Sequence, residues 1–290
     1  MAKFICNICG GGNSWAGEPF PRETPSCGKC GSSRRERSLI GALATEMFGT
    51  HLALPHFPRV KSWRGLGTSD SPRYADRLSE VFDYRNTFFD REPRLDLAKL
   101  NPADPGHAPN QYDFIISSEV FEHVAPPLES AFRNAWSLLK PNGVLVFTMP
   151  YHLDPAYEHY PELHEYGLAE VGGRTVLVNR TSSGELQVRE DVAFHLSGSG
   201  RALEMRICTE EVIRTALAAA GFCSVRIYAE EYRPFGIVPA ETWALPIAAR
   251  KGPYSCGIDA MRDVIEEWRA LRMSLSRSRS YRIARKLGLT

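Results

Sequence analysis

Four cysteines near the start of the chain are spaced to hold a metal. Cys6 and Cys9 form one C-x-x-C pair, Cys27 and Cys30 form another, and 17 residues separate the pairs. Two tight pairs supply four thiolates, which suit a tetrahedral zinc ion and leave no open coordination position, so a structural role is expected. An iron ion in the same cage is the alternative. Gly10 and Gly31 directly follow the pairs and allow the backbone to fold around sulfur. Further on, Gly65-Leu66-Gly67 offers small residues where a backbone turn could approach a ligand. Three histidines are candidate catalytic groups. His123, in VFEHV, titrates in the range a general base needs. His159, in EHYPELHEY, and His195, in DVAFHLSGSG, fall in an irregular stretch of the kind that carries function on a rigid scaffold. The Ser/Gly run after His195 could hinge a lid. Glu158 and Glu204 could orient hydroxyls of a bound molecule, and Arg206 could hold an anionic group or belong to a purely structural strand.

These groups need elements to position them. Residues 1–31 are rich in Gly, Pro and Cys and cannot build a core alone. Residues 32–50 read as a helix, with Leu39, Leu43 and Met47 on one stripe and Ser32 or Ser33 as the cap. A short strand over 60–67 should enter a glycine turn at Gly65-Leu66-Gly67. Residues 72–81 read as helix, 82–89 and 112–117 as strands, 126–139 as a helix ending at the turn KPNG, and 144–150 as a strand. The apolar run of YDFIIS suits a strand buried on both faces of a parallel sheet. Residues 151–208 break the rhythm and hold a hairpin, TVLVNR-SSGE-LQV. A helix over 209–220, capped by Thr209 and stopped by Gly221, and strands at 223–229 and 242–249 follow. Alternating strands and helices imply a doubly wound α/β fold, with ligands bound at the carboxyl ends of the strands.

Composition narrows the function classes. Lys and Arg total 35 against 34 Asp and Glu, so the formal net charge is only +1. A nucleic-acid-binding surface usually needs a strong basic balance. Arg34, Arg35 and Arg37 follow the second cysteine pair, but Glu36 interrupts them, so nucleic acid is an unfavoured partner. There is no run of apolar residues long enough for a membrane span and no signal-peptide pattern, so a cytoplasmic protein is expected. From Arg269 onward there are seven basic residues and no acidic one. That tail should be helical and could touch an anionic membrane surface or a partner enzyme. The expected division is a zinc-binding module with its connecting helix over 1–50, a main domain over 51–256 whose insertion at 151–208 covers the second reactant, and a basic helical tail over 257–290.

The segments YDFIISSEVFEHV and LLKPNGVLVFTMP, in this order after Gly65-Leu66-Gly67, resemble the class I S-adenosylmethionine-dependent methyltransferases. That resemblance implies a Rossmann-like sheet and S-adenosylmethionine as cofactor. It also implies cofactor contacts at Gly65 and Gly67, at Asp90 as the acid for the ribose hydroxyls, at Asp96 as the acid beside adenine, and at Ser118 and Glu119 in the pocket wall. The phrases CGSSRRER, YRNTFFDREPRLD, EHYPELHEY and LEMR are similar to a narrower bacterial group associated with surface-glycan synthesis. It implies a small-molecule or glycan acceptor, methylated at oxygen. The rival expectations are an RNA methyltransferase and a non-catalytic scaffold of the same fold in a glycan-assembly complex.

Overall fold

The chain was analysed as a computed structural model that describes residues 2–16, 20–101, 103–152, 155–197 and 200–253, together with Ala270 and Ser278. The expected helical tail over 257–290 and its membrane or partner contact therefore lie outside the described residues, save those two positions. Among the described residues no helix is long and apolar enough to cross a membrane.

Strands β1 (Ala2–Ile5) and β2 (Gly12–Trp15) pair as an antiparallel hairpin, and helix α1 spans Arg34–Phe48. Ser33 caps α1 in a full capping box with Glu36. Strand β3 (Arg64–Thr68), helix α2 (Pro72–Val81), strand β4 (Asp83–Thr87), strand β5 (Tyr112–Ser118), helix α3 (Leu128–Leu138) and strand β6 (Leu139–Thr148) follow in the expected alternation. The insertion contributes β7 (Tyr151–His152), β8 (Tyr157–Glu158), β9 (Glu165–Val171), β10 (Arg174–Arg180), β11 (Leu186–Arg189), β12 (Phe194–Ser197), β13 (Gly200–Leu203) and β14 (Arg206–Thr209). The chain then runs through α4 (Glu210–Ala220), β15 (Ser224–Ile227) and β16 (Ile247–Arg250). Thr209 caps α4 by accepting from the Val212 amide, and Gly221 ends it at φ 103°.

The central sheet has six strands in the order β15-β16-β6-β5-β3-β4. β6, β5, β3 and β4 run parallel, and β16 is antiparallel to both its neighbours. Both faces are buried, as the apolar runs require. Ile115, Leu145 and Phe147 pack on one face with α3 and α4. Phe114, Ile116, Val144 and Val146 pack on the other with α1, α2 and the cysteine hairpins. Residues 2–48 therefore share one core with the sheet. For the same reason α1 is buried on nearly every side rather than along one stripe.

One expectation about a turn holds and one needs correction. β6 begins at Leu139, but its register jumps from Tyr112–Leu139 to Phe114–Val144, so KPNG loops out of the ladder as a turn, with Asn142 at φ 64°. Gly65 and Gly67 are not a turn but part of β3, which continues to Thr68. Their small size serves packing: a Cβ on Gly65 would fall within the ring of Phe114, and one on Gly67 would strike the Tyr84 hydroxyl. The chain turns one step later, at Ser69, which adopts φ 56°. Phe114 is fully buried and has no room to retreat. Gly65→Ala should therefore destabilise the fold by about 1–3 kcal/mol. Gly167→Ala, where β9 leaves open space, should stay within about 0.5 kcal/mol. Urea midpoints of the two variants check this, and equal midpoints would refute the packing account.

Candidate functional site

The parallel strands end at a cleft of about 770 Å³. Every loop at their carboxyl ends contributes: Ser69–Tyr74 after β3, Phe88, Asp90 and Arg91 after β4, Ser118–Val120 and His123 after β5, and Pro150 after β6. The cysteine-bearing segment and α1 add Arg22, Glu23, Arg35 and Glu36, and Trp243 closes one side.

The loop after β3 is stapled to β4. The Asp70 amide donates to Asn86 Oδ1, and Asn86 Nδ2 donates back to the Asp70 carbonyl, both at 3.0 Å. The buried Asp70 carboxylate accepts from the hydroxyls of Tyr74, at 2.7 Å, and Tyr84, at 2.5 Å. Desolvation pushes its pKa up to about 7, although both tyrosines and Arg35 oppose the shift.

The turn after β5 holds Ser118 and Glu119, as expected for the pocket wall. Glu119 sits at φ 55°, a left-handed conformation uncommon for a non-glycine residue, and its amide donates to the Thr148 carbonyl. Arg22 grips its carboxylate with two guanidinium nitrogens, at 2.7 and 3.1 Å. Burial pushes Glu119 upward, but the Arg22 hydrogen bonds and charge, with Arg35, hold it below the usual carboxylate range. Arg35 donates to the Ser118 hydroxyl and to both oxygens of Glu23.

His123 follows on the same turn. Its Nδ1 lies 2.7 Å from the Leu203 carbonyl. A carbonyl only accepts, so Nδ1 donates to it, and Nε2 lies 3.8 Å from Oε1 of the buried Glu122. Beneath it, burial and the nearby Glu119 charge push Glu122 well above the ordinary carboxylate range. The insertion pins this turn from outside: the Met205 amide donates to the Glu122 carbonyl, and Arg206 donates to the carbonyls of Phe121 and Val124, both at 2.7 Å. Arg206 is fully buried and paired with Glu158 at 2.7 Å. It is therefore a brace for the His123 turn rather than an anion contact, and Glu158 is its partner rather than a hydroxyl guide.

The other expected site residues fall as follows. Asp90 lines the cleft and is exposed there. Asp96 does not line it. An isolated bridge from Phe88 to Arg94 folds the chain back, Leu95 and Leu97 enter the core, and Asp96 caps the turn by accepting from the Ala98 amide at 2.9 Å. Gly65 and Gly67 lie within β3, below the loop that faces the cleft. His159 also lies away from it, in the insertion, 3.8 Å from Glu204 and edge-on to Tyr157. His195 is on β12, paired with Ala202, and its side chain lies outside the described residues. Arg22, Glu23, Arg35, Ser69, Asp70 and Trp243 went unforeseen. Only Arg35, in CGSSRRER, and Ser69 and Asp70, just after Gly65-Leu66-Gly67, stand near phrases that marked their neighbourhood.

The four cysteines come together as their spacing predicts. Their sulfurs all lie within 4.8 Å of one another, with Cys6–Cys30 at 3.7 Å and Cys9–Cys27 at 3.6 Å. Tetrahedral zinc–sulfur bonds of about 2.3 Å place sulfurs about 3.8 Å apart, so the donor set fits zinc. The two knuckles match: Gly10 donates to the Cys6 carbonyl and Gly31 to the Cys27 carbonyl, each at 2.8 Å, with φ 71° and 70°. Beside the sulfurs lies Arg37, wholly buried. It donates to Ser26 Oγ and to the carbonyls of Ser32, Phe235 and Gly236, and it stacks over Phe4. Burial lowers its pKa, and the negative charge of Cys6, Cys27 and Cys30 works against that. A thiolate cluster is the anion this guanidinium needs.

Residues 49–182 match the family described as "Methyltransferase domain". Over 82 residues the chain is 38% identical to the polyketide synthase component of lovastatin nonaketide synthase from Aspergillus terreus. That segment is 27% of this chain and 3% of the relative, so the chain spans a very small part of that protein's length. A solved S-adenosylmethionine-dependent methyltransferase from Clostridium acetobutylicum ATCC 824 is 13% identical, with 76% of this chain and 93% of that one covered at a TM-score of 0.43. CalS10, an amino pentose methyltransferase from Micromonospora echinaspora, is 14% identical, with 76% and 92% covered at a TM-score of 0.40.

The buried Asp70 carboxyl sets a pH dependence. Its folded pKa, about 7, stands above the ordinary 3.8. Its stabilising contribution is therefore full below about pH 4 and is lost as pH rises through 7. Wild type should lose stability relative to Asp70→Asn between pH 5 and pH 8, read from urea midpoints. A difference that stays constant across that range would contradict the assignment.

Proposed function

We propose that this protein transfers a methyl group from S-adenosylmethionine to a hydroxyl oxygen of a sugar or glycan-type acceptor, with zinc held by Cys6, Cys9, Cys27 and Cys30. The observation that carries the reading is His123, which shares the cleft with the loops after β3 and β4 and whose ring is oriented by the Leu203 carbonyl at Nδ1. The cofactor brings a methyl carbon made electrophilic by its sulfonium. Asp90, which lines the cleft, would hold hydroxyls of its ribose, and Ser69 and Ser118 would hold its polar arm. The cofactor would give its methyl carbon to the acceptor oxygen and leave as a neutral thioether, the new oxygen–carbon bond replacing the carbon–sulfur bond whose electron pair stays on sulfur. His123 Nε2 takes the hydroxyl proton as that bond forms, and the Leu203 carbonyl steadies the resulting imidazolium through Nδ1. Otherwise the protein's task is to position two reactants and exclude water.

The glycan class of the acceptor rests on the sequence phrases shared with the surface-glycan-associated group. The RNA alternative gains nothing from the arginine run after the cysteines, because Arg34 and Arg37 are buried, at 3% and 0% exposure, and cannot form a phosphate-binding patch.

Incubation with methyl-labelled S-adenosylmethionine and a panel of sugar nucleotides and glycans tests the reading. Label should appear as an alkali-stable methyl ether, and transfer to RNA alone would overturn the acceptor assignment. In His123→Gln, turnover should fall about 10²–10⁴-fold while cofactor affinity is retained. Unchanged turnover would remove His123 as the base.

A further inference from the structure

The wall of the cleft built by the N-terminal segment carries charges that the base and the Asp90 contact leave unused. Glu23, Arg35, Ser118, Glu119 and Arg22 form a continuous row in which acid and base alternate. Arg35 remains a firm cation: burial draws it down, but the charges of Glu23 and Glu119 carry it above its ordinary value. Its side chain keeps 20% exposure and that of Glu23 55%, so both are reachable from the cleft. Arg22 is 7% exposed and already donates to Glu119 and to the Ala244 carbonyl, so it positions Glu119 rather than binding a ligand.

Alternating charge selects its ligand. A phosphate in this wall would meet Glu23 and Glu119 directly beside Arg35, which a lone anion cannot satisfy. A zwitterion would find an anion for its ammonium and a cation for its carboxylate. The distance also fits. β4, β3 and β5 are neighbours, and two spacings of about 4.8 Å separate the end of β4, which leads to Asp90, from the end of β5, which carries Ser118. A ligand held by its ribose at Asp90 must reach across β3 with its other end to touch this wall.

We propose that Arg35, Glu23 and Glu119 form the subsite for the zwitterionic amino-acid end of S-adenosylmethionine, so that the cysteine module supplies part of the cofactor site. This rests on the methyltransferase reading. Arg35 receives the carboxylate, Glu119 and Glu23 receive the ammonium, and Arg22 fixes Glu119 in place.

The test compares two thioethers by calorimetry: S-adenosylhomocysteine, and 5′-methylthioadenosine, which lacks the amino-acid end. Two charge-assisted contacts should make wild type prefer S-adenosylhomocysteine by about 100-fold or more. Arg35→Gln should cut that preference about 10-fold or more and leave affinity for 5′-methylthioadenosine unchanged. Glu23→Gln, at a half-exposed position, should reduce it in the same direction. If wild type binds both compounds equally, or if both variants keep the full preference, the subsite is wrong while the methyltransferase reading stands. If folded wild type binds neither compound, both fall together.

Discussion

A wholly buried guanidinium must find negative charge and acceptors on every side, and Arg37 does so at the junction of three separate segments. Its acceptors are Ser26 and Ser32 in the cysteine module and Phe235 and Gly236 far along the chain, and the cysteine sulfurs, as thiolates on a metal, would supply the charge. Removing one partner of a buried charge costs about 3–5 kcal/mol, so these segments stay together or the charge is stranded. The module is thereby bound to the same core that buries one face of the sheet, and its neighbours Arg22 and Arg35 are delivered to the sheet's working edge.

That edge is held from two directions. The turn after β5 bears Ser118, Glu119 and His123, and Glu119 lies in a backbone region that non-glycine residues seldom adopt. On one side Arg22 clamps Glu119. On the other, Arg206 and Met205 of the insertion bind the carbonyls of Phe121, Val124 and Glu122, and Leu203 fixes the His123 ring. A strained turn needs such over-determination to persist. The sheet provides the platform, and the two appended segments decide the conformation of the groups upon it.

Elements whose signal is local were legible in the sequence. YDFIIS reads as a buried strand because its apolar run is continuous, and α4 reads correctly because Thr209 and Gly221 mark its ends. The cysteine cluster was legible because C-x-x-C spacing is itself geometry. What failed depends on pairing across long separations. Glycine in Gly65-Leu66-Gly67 looks like a turn until Phe114 and Tyr84 are seen to occupy the space where side chains would go. Asp96 resembles a ligand contact until the Phe88–Arg94 bridge folds its segment into the core. For Arg206 the sequence left an anion contact and a structural strand equally open, and only Glu158 and two carbonyls decide for the structural one. Arg22 sits in a Pro/Gly-rich spacer with no periodicity, and nothing near it in sequence announces a partner 97 residues away.

The central claim is that the cysteine module holds the cleft in shape rather than merely adjoining it. Hydrogen exchange on the full chain, compared between wild type and Cys9→Ser, tests this most directly. The account predicts faster exchange not only within residues 2–33 but also in the first turn of α1 and across residues 118–124. Loss of protection confined to residues 2–33, with the turn after β5 exchanging as in wild type, would contradict it.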